Sequence, residues 1–385
     1  MSSASELLQT AVTKTGLDDF GDDSFREGFE ILVRALNEEG RLNARGEDFV
    51  FARVLLHLRQ RLQVEDWYRR HPEIDEEPIA APVFGLGLPR TGSTALSFLL
   101  AQDPDIRYLH SWEAAEPCPP PSTVPGDDPR IPPGVVELWA GSRHHVPQDP
   151  NGPMECLDLM ALDFTSQIFQ AYAHIPTYSE WLFERADFTS TYGYERRVLK
   201  LLQWGQPTRP WRLKSPAHVL SLDYLDAVFP DALFVMTHRD PTDVLLSVAD
   251  VYADIVGGFS DHVDRRYLGE LNVHQWSVGV DRTCKFRSPG QAGGADHRFF
   301  DIDFRAMAAD PVGEVRALYA WLGEPVSEEF EAGMRTWWAH NAEHREPKSK
   351  ADAAEFGLDF ELIRPQFASY VEHARRWTAR ETQEG

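Results

Sequence analysis

Through the first 78 residues the apolar positions fall three and four apart: Phe29, Ile31, Leu32 and Leu36, then Val54, Leu55, Leu58 and Leu62. That is the spacing of amphipathic helices. It predicts helices over 5–12, 24–39 and 48–69, separated at Gly16, Gly21 and Gly40. After a linker that begins at His71-Pro72 the pattern changes. Val83-Phe84-Gly85-Leu86-Gly87-Leu88 is a continuous apolar run of strand length closed by Pro89. Thr94 to Leu100 then reads as a helix, with Ser93 or Thr94 at its cap. Further strand-like runs are Ile106 to Leu109, Trp211-Arg212-Leu213-Lys214, Ala232 to Thr237, and 298–304. Helices are predicted over 154–204, 218–229, 242–252, 268–286, from the Asp310 cap to Leu322, 327–339 and 363–377. Strands alternating with helices imply an α/β fold, with a mostly parallel sheet covered on both faces and ligands at the carboxyl ends of its strands.

The segmentation gives a helical N-terminal layer (1–78), an α/β core (79–345) with a helical insertion at about 150–205, and a C-terminal loop and helix (346–385). The insertion is rich in aromatics: Phe164, Phe169, Tyr172, Tyr178, Trp181, Phe183, Tyr192 and Tyr194. Such a set serves either as core or as the wall of an acceptor pocket. The proline-rich segment 117–133 excludes a long helix or a central strand, and is a lid candidate or a plain surface loop.

With 385 residues the chain has ample length for a large core. Its net charge, 38 − 61 = −23, excludes general binding to nucleic acid or to anionic membranes, while leaving room for a local basic pocket. Cys118, Cys156 and Cys284 are odd in number and far apart, with neither metal-ligand spacing nor a disulfide framework. They are expected to be free thiols in a reducing compartment. Residues 1–14 lack the apolar core of a signal peptide, and no run approaches the ~18 apolar residues of a membrane span. A cytoplasmic location without stable membrane insertion is the expectation.

The chemistry concentrates at two strand–turn–helix junctions. At the first, Gly87-Leu-Pro-Arg90-Thr91-Gly92-Ser93-Thr94 keeps both glycines and the hydroxyl of the phosphate-loop pattern G-x-x-x-x-G-K-[ST]. Ser93 stands where that pattern has lysine, and a cation appears at Arg90 instead. Free N–H groups at the helix start attract an anion. Without the lysine, the group that reaches the terminal phosphates of a triphosphate is gone. At the second junction, His238-Arg239-Asp240-Pro241 leads into a helix carrying Ser247. The guanidinium fork suits a phosphate and the hydroxyl adds a donor. Alternatively, Arg239 pairs with Asp240 or Asp243 and merely ties the turn. Two anion cradles suggest one ligand with two anionic groups, such as a nucleotide phosphorylated at both ends.

These motifs resemble those of the sulfotransferases that use 3′-phosphoadenosine 5′-phosphosulfate (PAPS), in the bacterial branch with arginine in the first loop. The first loop looks like that family's 5′-phosphosulfate loop, and His238 to Ser247 like its 3′-phosphate motif. Arg212-Leu-Lys214-Ser-Pro-Ala-His218, with Lys214 25 positions before Arg239, resembles the intervening lysine-bearing strand. Phe20 to Gly28 and Phe356-Gly-Leu-Asp359 also look like this branch, so the likeness runs over most of the chain.

The resemblance implies a P-loop-kinase-like fold and transfer of a sulfuryl group from PAPS to a hydroxyl or amine, without a metal. It assigns Arg90, Thr91, Gly92, Ser93 and Thr94 to the 5′ phosphosulfate, Arg239 and Ser247 to the 3′-phosphate, and Arg90 with Lys214 to the charge that grows on the bridging oxygen. Many relatives take their base from a histidine two residues after the strand lysine, a position held here by Pro216. Others use a glutamate soon after the first loop, which matches Glu113. His218 and His110, then Glu116, are the other candidates. Lys348-Ser349-Lys350 is a weak match to a segment that closes over the 3′-phosphate. The aromatic insertion suggests a small-molecule or lipid-like acceptor, and oligomeric state is not legible. The rival readings are a nucleoside or metabolite kinase, against which Ser93 counts, and a non-catalytic nucleotide-binding protein.

Overall fold

The computed structural model describes residues 2–132, 136–138, 146–288, 294–343 and 351–379; Lys348, Ser349 and Lys350 lie outside them. Its strands are β1 (Val83–Gly87), β2 (Arg107–Tyr108), β3 (Val136–Leu138), β4 (Val146–Gln148), β5 (Trp211–Lys214), β6 (Leu233–His238) and β7 (Phe299–Asp303). Five of them form one sheet in the order β2-β5-β1-β6-β7, every pair parallel, while β3 and β4 make a separate antiparallel ribbon. Parallel strands need crossovers, and helices on both faces leave β1, β5 and β6 almost wholly buried. That is why β1 and most of β6 run apolar without alternation, while β5 buries Arg212 and Lys214 among its apolar residues.

The chain divides into two compact units. One comprises Ala81–Tyr108, Arg209–Asp250 and Arg265–Gly385, and holds the parallel sheet. Here the helix Ser93–Leu100 turns Leu96, Leu99 and Leu100 into a buried cluster with Val83, Val235, Ile302 and Leu318. Each such side chain contributes ~1.5–3 kcal/mol by leaving water. The carboxyl ends of β5, β1 and β6 lie side by side, because Gly85 is in register with Lys214 and Gly87 with Thr237.

The other unit comprises Met1–Ala80, Leu109–Thr208 and Val251–Asp264, so it joins the N-terminal helices to the insertion. Its centre is a buried ion pair, Arg61 Nη1 to Asp163 Oδ1 at 3.1 Å. Asp163 also accepts from the hydroxyls of Ser190 (2.7 Å), Thr191 (3.0 Å) and Ser24 (3.2 Å). The Arg61 guanidinium lies over the rings of Phe25 and Tyr194. Burial penalises both charges, and these bonds offset much of that cost.

Several elements depart from the sequence expectation. The stretch 154–204 is not one helical run: it breaks into Leu157–Met160, two 3-10 turns, Pro176–Glu184 and Thr189–Gln203. Pro176 starts a helix here, as its fixed φ favours. All eight of its singled-out aromatics are buried, so they build core and do not line an open pocket wall. The segment after β5 is a 3-10 turn, Pro216–Leu220, before the helix Leu222–Val228. The last helix is Ala368–Trp377, preceded by Phe360–Ile363 and a 3-10 turn at Arg364–Phe367 where Pro365 interrupts the ladder.

Gly87 is the residue on which the strand packing at the first loop turns. Its φ is +131°, and a Cβ there would stand 2.4 Å from the Thr237 carbonyl oxygen. Replacing Gly87 by Ala should cost ~2–3 kcal/mol in denaturant unfolding. The control is Gly193→Ala within the helix Thr189–Gln203, where a Cβ meets nothing within 4 Å, and stability should hold or rise slightly. Equal effects of the two substitutions would contradict this account of the close approach.

Candidate active site

The first loop starts where β1 ends and is held from within. The Thr91 hydroxyl donates to the Leu88 carbonyl at 2.7 Å and lies 2.6 Å from the Thr237 hydroxyl at the end of β6. Thr91 is fully buried, so its side chain is engaged in shaping the loop. Gly92 follows with φ +91°, and it, not Ser93 or Thr94, is the cap of the helix Ser93–Leu100. A left-handed residue at this point suits glycine, and a Cβ would press on Met307 and Phe304. With no side chain capping the helix, its first N–H groups remain available to a ligand.

Arg90 sits in this loop with φ +62°, an uncommon conformation for a residue with a side chain. Its Nε donates to the Ser247 hydroxyl at 3.1 Å. Arg239, leaving the end of β6, donates from Nη1 to the Arg90 carbonyl oxygen at 3.0 Å, and its guanidinium lies 4.5 Å from the centre of the Phe304 ring. The two junctions read separately in the sequence therefore adjoin and share hydrogen bonds. Arg239 also lies 3.7 Å from Asp243, a half-exposed and loosely made pair. Among the described residues no carboxylate pairs with Arg90. Crowding by protein, then the Arg239 charge, lowers the Arg90 pKa from the usual arginine range. Lys214, at the end of β5, donates from Nζ to the Thr94 hydroxyl at 3.3 Å. Arg90, Thr91, Gly92, Ser93, Thr94, Lys214, Arg239 and Ser247 thus gather at one end of the sheet.

Glu113 belongs to the short helix Ser111–Ala115 of the other unit. It is 1% exposed, so it is not a solvated surface carboxylate. Its Oε2 accepts from the His110 N–H at 3.1 Å. His110 turns its Nδ1 to the Asn151 carbonyl at 2.7 Å, and Glu116 is exposed. His218 is buried in the core beneath the sheet, edge-on to Phe84. Burial, then the Lys214 charge, pushes its pKa down to about 3. So weak a base takes a proton inefficiently at neutral pH.

Sequence reasoning missed two residues that shape this site. Thr237 was read only as part of a strand, yet it anchors Thr91. Phe304 lies 65 positions after Arg239 and carries no local motif; only the pairing of β6 with β7 brings it beneath the guanidinium.

Comparison with known proteins agrees with this geometry. Residues 82–328 match the profile of the Sulfotransferase family. A search of curated proteins finds no match. Among solved structures, sulfotransferase STF9 from Mycobacterium avium is similar at 32% identity, covering 97% of each chain with a TM-score of 0.85. Sulfotransferase STF1 from Mycobacterium tuberculosis H37Rv is similar at 30% identity and a TM-score of 0.80, covering 95% of this chain and 98% of that one. The chain belongs to the sulfotransferase family. It is an enzyme of sulfuryl transfer with the P-loop-kinase-like fold, and its family in general draws sulfate from PAPS. Among the described residues no helix is long and apolar enough to cross a membrane. All three cysteines are buried free thiols.

The buried His218 also predicts a pH effect on stability. Its value falls from 6.5 to about 3 on folding. Above pH 6.5 it costs nothing; below, the unfolded chain binds a proton that the folded chain refuses, and stability drops as pH falls. His218→Gln should remove ~2 kcal/mol from the stability lost between pH 7 and pH 5 in urea unfolding. Parallel pH profiles for the two proteins would refute the assignment.

Proposed function

We propose that the donor of this enzyme is PAPS, held by the loop 87–94 at its 5′ end and by Arg239 and Ser247 at its 3′-phosphate. The observation that carries the reading is the adjacency of Arg90 and Arg239, two like charges of which Arg90 has no carboxylate partner among the described residues. Such a pair favours an anion. The residues fit the group: Arg90, Lys214 and Arg239 supply positive charge, and an uncapped helix start supplies N–H donors. PAPS, when bound, supplies the sulfuryl group and is left as adenosine 3′,5′-bisphosphate (PAP).

Arg90 and Lys214 stabilise the negative charge that develops on the departing side, in a site whose donors are fixed before reaction. Lys214 is aimed by its bond to Thr94, which places its ammonium beside the helix start. Glu113 is the base we assign to the acceptor hydroxyl or amine. Two other candidates are less suited: His218 is buried with its pKa at about 3, and His110 spends its Nδ1 on a carbonyl. The acceptor is a small molecule, the class on which sulfotransferases act. Because the aromatic residues of the insertion fill a core, they give no ground for narrowing it to a lipid-like alcohol.

Calorimetry with PAP and ATP tests the donor site. Wild type should prefer PAP, and Arg239→Ala or Arg90→Ala should weaken PAP roughly 30-fold or more, as expected for a lost charge-assisted bond. Unchanged PAP affinity in both variants would sink the reading. Glu113→Gln should lower sulfate transfer from radiolabelled PAPS by ~10²–10⁴ while leaving PAP affinity as it was; full turnover would exclude it as the base.

A further inference from the structure

Directly behind the second anion cradle lies a closed chain of buried hydrogen bonds that neither the motif nor the proposed chemistry uses. It starts at Arg287, at the end of the helix Arg265–Arg287. Arg287 Nη1 and Nη2 donate to Asp301 Oδ1 at 2.7 Å and Oδ2 at 2.8 Å, a two-pronged pair on β7. The same Asp301 Oδ1 lies 2.7 Å from His238 Nε2 on β6. His238 Nδ1 lies 3.1 Å from the hydroxyl of Tyr370, on the helix Ala368–Trp377. Trp377, one helix face further on, covers Arg287 at 3.6 Å from ring centre to guanidinium.

Donors and acceptors fix the order of this chain. A carboxylate only accepts, so Nε2 of His238 carries its proton toward Asp301. In the neutral ring Nδ1 is then the acceptor of the Tyr370 O–H. Each partner is 7% exposed or less in its side chain, and a bond broken inside so buried a network leaves a group unpaired. Asp301 shows the balance: burial works against its charge, yet the Arg287 and His238 bonds hold its carboxyl below the usual range.

We infer that Tyr370 is a positioning residue for the 3′-phosphate: through its bond to the ring of His238, the residue before Arg239, the C-terminal helix fixes the backbone from which the Arg239 guanidinium reaches the nucleotide. Arg239 has little else to fix it. Its side chain makes one bond to the Arg90 carbonyl, a ring contact with Phe304 and a loose pair with Asp243. The aim of the fork therefore depends on the backbone at the end of β6, which the bond between Tyr370 and the His238 ring holds.

This inference rests on the assignment of Arg239 to the 3′-phosphate, and the test separates the two. The probes are PAP and adenosine 5′-monophosphate (AMP), which lacks the 3′-phosphate, each titrated calorimetrically into full-length protein. Wild type should bind PAP more tightly than AMP. Tyr370→Phe removes only the hydroxyl; it should cut the PAP-to-AMP affinity ratio about tenfold, with AMP affinity unchanged. Any unfolded fraction enters the stoichiometry, so the ratio reads folded molecules alone. Asp301→Asn, a second break in the same chain, should lower the ratio too, and it decides the matter if Tyr370→Phe does not fold. A wild-type ratio in the variants, or PAP and AMP weakened equally, overturns the positioning role and leaves the donor assignment standing. A wild type that does not prefer PAP overturns the 3′-phosphate assignment, and this inference with it.

Discussion

Two positive charges held beside each other without a full complement of negative ones is the constraint around which the sheet-bearing unit is built. Burial first, and then the Arg239 charge, lowers the pKa of Arg90. Left free, two flexible side chains would swing apart into water. Three features prevent this: the close approach of Gly87 to Thr237, the Thr91–Thr237 bond that draws the loop onto β6, and the bond from Arg239 to the Arg90 backbone. On the reading proposed above, an anion lying between the charges relieves that repulsion. Binding energy gained this way requires no reorganisation at the moment of binding.

The wider charge distribution makes this pair more distinctive. The chain carries a net −23, yet buried arginines elsewhere are matched by carboxylates, as Arg61 is by Asp163 and Arg287 by Asp301. Those pairs hold structure together. An acidic surface repels an anionic donor at long range, but that repulsion is screened beyond ~8–10 Å at ordinary ionic strength. At contact, Arg90, Lys214, Arg239 and the uncapped helix start dominate. Composition alone thus described the surface correctly and said little about the site.

How far the sequence could be read follows from the range of the interactions involved. The strand–turn–helix junctions were legible because apolar runs, glycines and prolines act locally: β1, β5 and β6 stand where the runs lie, and Pro241 opens its helix. The cap was misplaced by one residue because serine and threonine favour caps, whereas here the left-handed Gly92 takes the position and frees the N–H groups. The insertion was legible as helical and aromatic, with core and pocket wall as the two alternatives; the choice between them depends on partners such as Phe25 and Arg61 far away in the chain. Glu113 was picked out by position, while its burial was invisible. The Tyr370–His238–Asp301–Arg287 chain had no sequence signal, because four elements separated by up to 132 positions meet only after the sheet has formed.

The altered phosphate loop makes chemical sense in this setting. In a nucleoside triphosphatase the loop lysine rises from the first turn of the helix and reaches the terminal phosphates. Here Ser93 occupies that position, and the cations come from either side: Arg90 from the loop before the helix and Lys214 from the end of the neighbouring strand, tied to Thr94. A sulfuryl group bonded to a phosphate carries one negative charge, where a terminal phosphoryl group carries up to two. On the reading proposed above, two flanking side-chain cations and a helix dipole match that smaller charge. The substitution that removes the triphosphate-reaching lysine and the appearance of two lateral cations are therefore one change seen from two places in the sequence.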